Sequence, residues 1–239
     1  MPDLGAPTLG GADLHHLQRA LRLRPGELVG ASDGEGGWRL CRFAGAGELD
    51  AEGPLEVEAA PRPRVTVGLA VPKGERADWA VQKLTEVGVD RIVPLVADRG
   101  VVRPDAERTG RLLARWGAVA RSAAMQSRRL WLPEIGEPES VVGMLAGTGG
   151  SARHGASPAP APVVALAEAG GAPPDLDRPT ILVGPEGGWS DAERSGATAL
   201  VGLGPTVLRT ETAAVVAGSL LVALRSGVVA PVVVGARLA

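Results

Sequence analysis

The sequence has few of the residues that build disulfides, metal clusters and aromatic cores. Its 239 residues include one cysteine, three histidines, one phenylalanine and no tyrosine. A single cysteine cannot form an intrachain disulfide, and the histidines lack the spacing of metal ligands, so we predict no disulfide and no metal site. No histidine lies near Cys41 in the sequence, which favours a small buried apolar residue over a nucleophile. The core is therefore predicted to be aliphatic.

Several sequence signals that would assign a function are also missing. No apolar run approaches the roughly 18 residues of a membrane-spanning helix, and no signal peptide is evident, so we expect a soluble cytoplasmic protein that binds no membrane. There is no phosphate-binding P-loop and no dinucleotide-binding GxGxxG motif after a strand. The GxSxG motif of serine hydrolases is absent too. These absences argue against an ordinary nucleotide-dependent metabolic enzyme.

Charge is distributed unevenly along a chain whose formal net charge is only −2. The segment 99–131 holds eight arginines and two acidic residues, an excess of six positive charges. Local basic patches of this kind suit a phosphate backbone, although solvated helix faces are often rich in arginine as well. The candidate RNA contacts are Arg99, Arg103, Arg108, Arg111 and Arg115, together with an N-terminal cluster of His15, His16, Arg19, Arg22 and Arg24.

The pattern of apolar residues divides the chain into two predicted domains, 1–62 and 63–239. The first contains short β-like segments between glycine-rich turns and one predicted helix over 14–23, which is typical of a small β-barrel. A linker is expected at Pro61-Arg62-Pro63. The second alternates strands and helices, which predicts an α/β domain with a parallel sheet. Its predicted strands are 65–71, 91–96, 131–135, 163–166 and 180–183; its predicted helices are 75–87, 105–126, one that begins at Ser190, and 211–225. The glycine- and proline-rich segment 147–162 is expected to be a loop.

Two loops of the second domain are candidates for a ligand site. The loop within 181–190 follows a strand, and ligands of α/β proteins bind outside the carboxyl ends of strands. Its glycines allow close backbone approach, but a simple tight turn with a solvated Glu186 explains them equally well. The loop within 203–214 places Arg209, Thr210 and Glu211 at the start of an apolar helix. Helix capping accounts for Thr210 and Glu211, but not for Arg209, because a cation is unfavourable at that end of a helix.

These motifs resemble a known family. GPEGGWS (184–190), followed by LGPTVLRTETAA (203–214), is similar to the S-adenosylmethionine-binding end of the small-subunit (16S) rRNA uracil-N3 methyltransferases, which belong to the trefoil-knot (SPOUT) class. The resemblance extends to KGERADWAVQKLTEVGVDRIVPL (73–95) and QSRRLWLPEI (126–135), and HHLQRALRLRPGE (15–27) is similar to the family's PUA-like domain.

The resemblance implies a fold, a cofactor and a substrate. It implies an α/β domain with a deep trefoil knot, an N-terminal PUA-like β-barrel domain, and a homodimer with active sites near the subunit interface. It implies methylation of N3 of one uridine in the decoding region of the small ribosomal subunit. The implied S-adenosylmethionine contacts are Leu166, Gly184, Pro185, Glu186, Gly187, Gly188, Leu203, Gly204 and Leu208.

The residue types in these loops suit that reaction. Methyl transfer from a sulfonium depends on positioning, and uracil N3 must lose a proton. We predict that Arg209 stabilises charge on the uracil oxygens and that Glu211 or Glu186 serves as base or orienting group. Two alternatives stay open: a knotted methyltransferase for another RNA position, including a ribose hydroxyl, and a non-catalytic RNA-binding assembly factor.

Overall fold

The protein is described by a computed structural model that covers residues 1, 3–11, 13–14, 22–72, 74–100, 105–147 and 163–231. These residues form two compact units. The N-terminal unit contains residues up to Pro61 together with the segment 128–132, and the C-terminal unit contains the remaining described residues. The return of 128–132 to the first unit was not predicted from the sequence.

The N-terminal unit is built on an antiparallel sheet. Its strands are β1 (Leu28–Ser32), β2 (Gly37–Gly45), β3 (Glu48–Ala51) and β4 (Glu56–Val57), with β2 paired to each of the others. Phe43 and Cys41 are almost completely buried at its centre, which confirms the expectation for the cysteine. Burial raises the pKa of the Cys41 thiol, so the neutral form is favoured. Most of the predicted helix over 14–23 lies outside the described residues, and 22–24 are not helical.

The segment 128–132 adds to the N-terminal unit through its backbone. Gly36 N donates to Leu130 O at 3.1 Å, and Leu132 N donates to Gly34 O at 2.8 Å. The predicted strand over 131–135 is therefore wrong in its first part, because Trp131 forms a bridge with Glu35 and only Glu134–Ile135 join the other sheet.

In the described residues, the C-terminal unit has one sheet in which every pairing is parallel, as predicted for an α/β domain. The strands are β5 (Thr66–Ala70), β6 (Arg91–Val96), β7 (Glu134–Ile135), β8 (Glu139–Ser140), β9 (Val164–Ala172), β10 (Thr180–Val183) and β11 (Leu200–Val201). Their order is β11-β9-β10-β5-β6-β7, with β8 also beside β6. The helices are α1 (Arg76–Val87), α2 (Ala106–Gln126), α3 (Val141–Leu145), α4 (Asp191–Gly196) and α5 (Thr210–Arg225).

Both faces of this sheet are covered, which explains why its central strands are continuous apolar runs. Val67 and Leu69 pack on one face against α1, α5 and Trp116. On the other face Leu95 and Leu182 belong to a core that includes α3. Gly68 lies between those two leucines, and a Cβ there would come within 2.6 Å of Leu182 Cδ2. The glycine thus lets leucines from both neighbouring strands meet above it.

The four helices predicted in the C-terminal domain begin within one residue of their predicted positions, and α1, α2 and α5 end at the predicted residues; α3 was not predicted. Ala77, Ala80, Val81 and Leu84 form the buried face of α1, and Gly88 ends the helix in the left-handed conformation with φ 105°. Asp105 caps α2 by accepting from Arg108 N at 2.8 Å.

Strand β9 is longer than its predicted range of 163–166. Its second half reaches β11, where Val201 pairs with Ala172 and a Cβ on Gly171 would lie 2.5 Å from the backbone of Val201. Gly171 thus allows the two backbones to approach closely.

Candidate active site

The two candidate loops lie at one edge of the C-terminal sheet. Strands β5, β9, β10 and β11 are parallel neighbours, so the segments that follow them emerge on the same side. One is the loop 184–189, which follows β10, and another is the loop 202–209, which follows β11 and leads into α5. This edge is where α/β proteins hold their ligands.

The glycine-rich loop 184–189 has a fixed backbone. Gly188 N donates to Pro185 O at 2.9 Å and closes a turn in which Gly188 has φ 68°. The indole of Trp189 is 3% exposed and donates to Ala167 O at 3.0 Å, which ties the loop to β9. A Cβ on Gly184 would lie 3.1 Å from the Trp189 ring, so the loop packs directly on that indole. Glu186, Gly187 and Gly188 remain exposed beyond it.

A buried carboxylate ties the end of this loop to the segment after β6. Glu193 is 1% exposed, and its two oxygens accept from Ser190 N at 2.8 Å and from Asp98 N at 2.9 Å. The Ser190 hydroxyl donates to Asp98 Oδ2 at 2.6 Å and also accepts from Glu193 N, which completes the predicted capping box. From the same segment Arg99 Nη1 donates to Gly187 O at 3.2 Å.

We expect Glu193→Gln to destabilise the C-terminal unit by about 1–3 kcal/mol, because an amide cannot accept from both backbone N–H groups at once. Thermal unfolding measures the change. Asp191→Asn is the matched control, since Asp191 is an exposed acid in the first turn of the same helix. Equal melting temperatures for both variants would contradict the assigned role of Glu193.

The second loop is anchored to the first by one side chain. The hydroxyl of Thr210, 4% exposed, donates to Gly184 O at 3.0 Å. Leu203 and Leu208 pack partly against the core, whereas Gly204 has φ 137° and open space where a Cβ would stand. The loop therefore offers apolar side chains and an accessible backbone beside the glycine-rich loop.

A cavity of about 430 Å³ adjoins the start of α5. It is lined by Arg76 and Trp79 of α1 and by Arg209, Glu211 and Thr212. Glu211 is 8% exposed, and its Oε1 lies 3.8 Å from Arg76 Nε. Its Oε2 is buried and has no hydrogen-bond partner among the described residues. Arg76 Nη1 is also 4.0 Å from Glu186 Oε1, so one guanidinium faces both carboxylates proposed from the sequence.

Most of the predicted site residues come together here. Arg209 and Glu211 line the cavity, and Glu186 lies across Arg76 from Glu211. Leu166 is different, because its side chain is fully buried in the core that includes α3; only its backbone is placed to meet a ligand. Arg76 and Trp79 were not predicted. The sequence feature that could have indicated them is a charged and an aromatic residue three positions apart, off the apolar face of a predicted helix.

The candidate RNA contacts have different surroundings. On α2, Arg108, Arg111 and Arg115 are exposed and form ion pairs with Asp105, Glu107 and Asp78 respectively. In the N-terminal unit Arg22 and Arg24 are exposed. The predicted contacts outside the described residues are His15, His16, Arg19 and Arg103.

Two features of other classes of protein are absent from the described residues. Among them no group of three or more His, Cys, Asp or Glu side chains is placed to hold a metal ion. No helix in the described ranges has the length and apolar character needed to cross a membrane.

Comparison with known proteins identifies relatives along almost the whole chain. Residues 59–222 match the family described as RNA methyltransferase domain, and residues 9–52 match the RNA methyltransferase PUA domain. The ribosomal RNA small subunit methyltransferase E of Mycobacterium tuberculosis is 36% identical over 233 residues, which cover 91% of this chain and 86% of that protein. The protein of the same name from Synechocystis is 34% identical over 88% of this chain and 70% of its own length.

Solved structures support the same family assignment. The ribosomal RNA small subunit methyltransferase E of Neisseria gonorrhoeae, bound to S-adenosylmethionine, has a TM-score of 0.74 at 26% identity and covers 95% of both chains. A methyltransferase from Legionella pneumophila in complex with the same cofactor also has a TM-score of 0.74 at 26% identity, covering 92% of this chain and 94% of that one. The predicted combination of a PUA domain and an α/β methyltransferase domain is thereby confirmed. The chain belongs to the ribosomal RNA small subunit methyltransferase E family.

Proposed function

We propose that this protein transfers a methyl group from S-adenosylmethionine to N3 of a uridine in the decoding region of 16S rRNA in the small ribosomal subunit. Family membership supports S-adenosylmethionine as the cofactor and rRNA as the substrate. The observation that carries the choice of atom is the buried carboxylate of Glu211, which faces one arginine and shares its cavity with another. A uracil ring that must lose its N3 proton and then carry negative charge needs a proton acceptor and cationic groups close together.

The residues at the sheet edge fit the cofactor. Gly188 and Gly204 have positive φ and open space where a side chain would stand, so their backbone groups are accessible to a ligand. Leu203 and Leu208 supply apolar surface for an adenine ring, and Gly184, Pro185, Glu186 and Gly187 complete the loop beside them. The bound cofactor supplies an electrophilic methyl group on a sulfonium. The protein's part is to hold that methyl in line with the accepting nitrogen.

Proton removal and charge stabilisation are assigned to side chains that line or adjoin the cavity. The proton on uracil N3 lies in the ring plane, along the direction from which a methyl group must approach. Proton loss therefore precedes methyl transfer, and the group that takes the proton must then withdraw. Glu211 is proposed as that acceptor, and Glu186, which is more exposed, as an orienting group. Arg209 stabilises the negative charge that spreads to the uracil oxygens.

The proposal extends to the RNA contacts, the domain organisation, the oligomeric state and the location of the protein. Exposed arginines, notably Arg108, Arg111 and Arg115 on α2 and Arg22 and Arg24 in the N-terminal unit, are proposed to contact rRNA phosphates. We propose division into an RNA-binding domain of 1–62 and a methyltransferase domain of 63–239 with a trefoil knot, paired as a homodimer. A protein acting on the small subunit works in the cytoplasm.

Thr210→Val tests the link between the two cofactor loops. The change keeps the shape of the side chain but removes the hydrogen bond to Gly184 O, worth about 1 kcal/mol. We expect the dissociation constant for S-adenosylmethionine, measured by calorimetry, to rise about fivefold. Thr198→Val, at an exposed position between α4 and β11, is the control. An unchanged affinity would separate Thr210 from the cofactor site.

A methyl-transfer assay tests the proposed function directly. Purified protein is incubated with labelled S-adenosylmethionine and with small ribosomal subunits that lack the modification. Fully modified subunits serve as the control. Stoichiometric labelling of the unmodified subunits alone supports the proposal, whereas cofactor binding without transfer would redirect it to another RNA. Absence of cofactor binding would favour an assembly factor.

A further inference from the structure

We propose that the cavity between α1 and α5 is the pocket for the target base, in which Trp79 stacks on the uracil ring while Arg76, Glu211 and Arg209 read its pairing edge. The inference rests on the proposed function and deepens it, because it assigns base recognition to α1 residues outside the two cofactor loops. An enzyme that reaches a ring nitrogen must take the base out of its stack and hold it in a pocket of this kind.

Trp79 has the properties of a stacking platform. Its side chain is 44% exposed, while the other two tryptophans of the C-terminal unit, Trp116 and Trp189, are buried at 0% and 3% exposure. Trp79 and Arg76 are three residues apart on α1, so both project from the same side of the helix into the cavity. A large aromatic surface exposed beside charged groups suits a flat polar ring, which stacks on the indole while its edge is hydrogen bonded.

The polar groups of the cavity complement the pairing edge of uracil. That edge presents O4, N3–H and O2, which are an acceptor, a donor and an acceptor. The cavity presents the guanidinium donors of Arg76 and Arg209 and the carboxylate acceptor of Glu211. Among the described residues, the Arg76 side chain is held only by ion pairs of 3.8 and 4.0 Å, longer than hydrogen bonds, so its donors are available.

Glu211 has unused capacity to accept a hydrogen bond. Its Oε2 is buried without a partner among the described residues, a costly state that a ligand N–H relieves. Rotation about the terminal bond of the side chain exchanges the two oxygens, so either can turn toward the cavity. The uracil N3–H is both the donor that satisfies this carboxylate and the proton that the reaction must remove.

The same arrangement rejects cytosine. With N3 placed at Glu211, cytosine offers a lone pair to a carboxylate, so two acceptors face each other. Its exocyclic amino group faces a guanidinium, so two donors face each other. Both contacts are repulsive, and unpaired groups in a site built for hydrogen bonds discriminate strongly between related substrates.

The test uses full-length protein and unmodified small subunits, with Trp79→Ala, Trp79→Phe and Arg76→Ala compared with the wild type. We expect Trp79→Ala to lower kcat/KM for subunits about 10- to 100-fold, the effect of losing one stacked base. Trp79→Phe keeps a stacking ring and should recover most of the loss. Arg76→Ala should lower kcat/KM by a similar factor. The affinity of each variant for S-adenosylmethionine, measured by calorimetry, should stay within about twofold of the wild type.

The possible outcomes distinguish a failure of the base pocket from a failure of the proposed function. A wild type that does not methylate uracil N3 overturns the proposed function. An active wild type whose Trp79→Ala and Arg76→Ala variants keep their kcat/KM within twofold overturns the base pocket alone. Sedimentation of each variant tests whether Trp79 acts at a subunit interface instead. Loss of activity together with a change in oligomeric state makes Trp79 an interface residue and contradicts the stacking role.

Discussion

Replacing Arg209 with alanine is expected to lower kcat for methyl transfer about 100- to 1000-fold, the loss seen when one preorganised donor to a developing negative charge is removed. Arg209 is exposed at the N-terminus of α5, where a cation is unfavourable for the helix, so its removal should not destabilise the fold. The affinity for S-adenosylmethionine should change little, because the guanidinium acts on the base. Arg209→Lys should recover only part of the rate, since an ammonium cannot match the planar donors of arginine.

Single-turnover kinetics with saturating cofactor measure this effect on the chemical step. Arg178→Ala is the matched control, because Arg178 pairs with Asp175 just before β10, at the opposite edge of the sheet from the site. Near-normal turnover of Arg209→Ala would remove Arg209 from the mechanism. A loss shared equally by Arg178→Ala would point to general destabilisation instead.

Glu211→Gln should show the other large effect, a fall of about 100- to 10,000-fold in kcat at neutral pH, the usual contribution of a general base. Glutamine keeps the shape of the side chain and its contact with the cavity, but it cannot take a proton. The variant should fold about as well as the wild type, because the change replaces a buried charge, whose Oε2 has no partner among the described residues, with a neutral amide of the same shape.

The pH dependence of Glu211→Gln makes the test specific. Without an internal base, N3 loses its proton only to solvent, so the rate of the variant should rise about tenfold per pH unit over a range where the wild type is flat. Glu186→Gln is the informative comparison, since Glu186 lies at the other side of Arg76 and is half exposed. A strong loss in Glu186→Gln with an active Glu211→Gln would exchange the roles of the two carboxylates.

Local sequence patterns predicted the framework of the site well. The run 180–183, a threonine followed by three apolar residues, lies between Pro179 and Gly184, and it forms β10 with the predicted bounds. Ser190 and Glu193 form the expected capping box because that interaction spans only three residues. In each case the signal is local in the sequence, so composition and spacing were sufficient.

Long-range contacts account for what the sequence did not predict. The second half of β9 contains glycines and a glutamate, and it becomes a strand only because β11 pairs with it. The importance of Arg76 depends on Glu211, 135 positions away, which α1 meets only after both helices pack on the same sheet face. Helical periodicity placed Trp79 off the apolar face of α1 but carried no information about the cavity that it lines.

The central claim is that the methyl group goes to N3 of uracil, and the most direct test is to identify the modified nucleoside. Unmodified small subunits are treated with the protein and S-adenosylmethionine, the rRNA is digested, and the nucleosides and the surrounding fragment are analysed by mass spectrometry. The account predicts 3-methyluridine at a single position in the decoding region, formed by the wild type and nearly absent with Glu211→Gln. A 2′-O-methyl nucleoside or a carbon-methylated uridine would contradict it, because neither reaction removes a proton from N3.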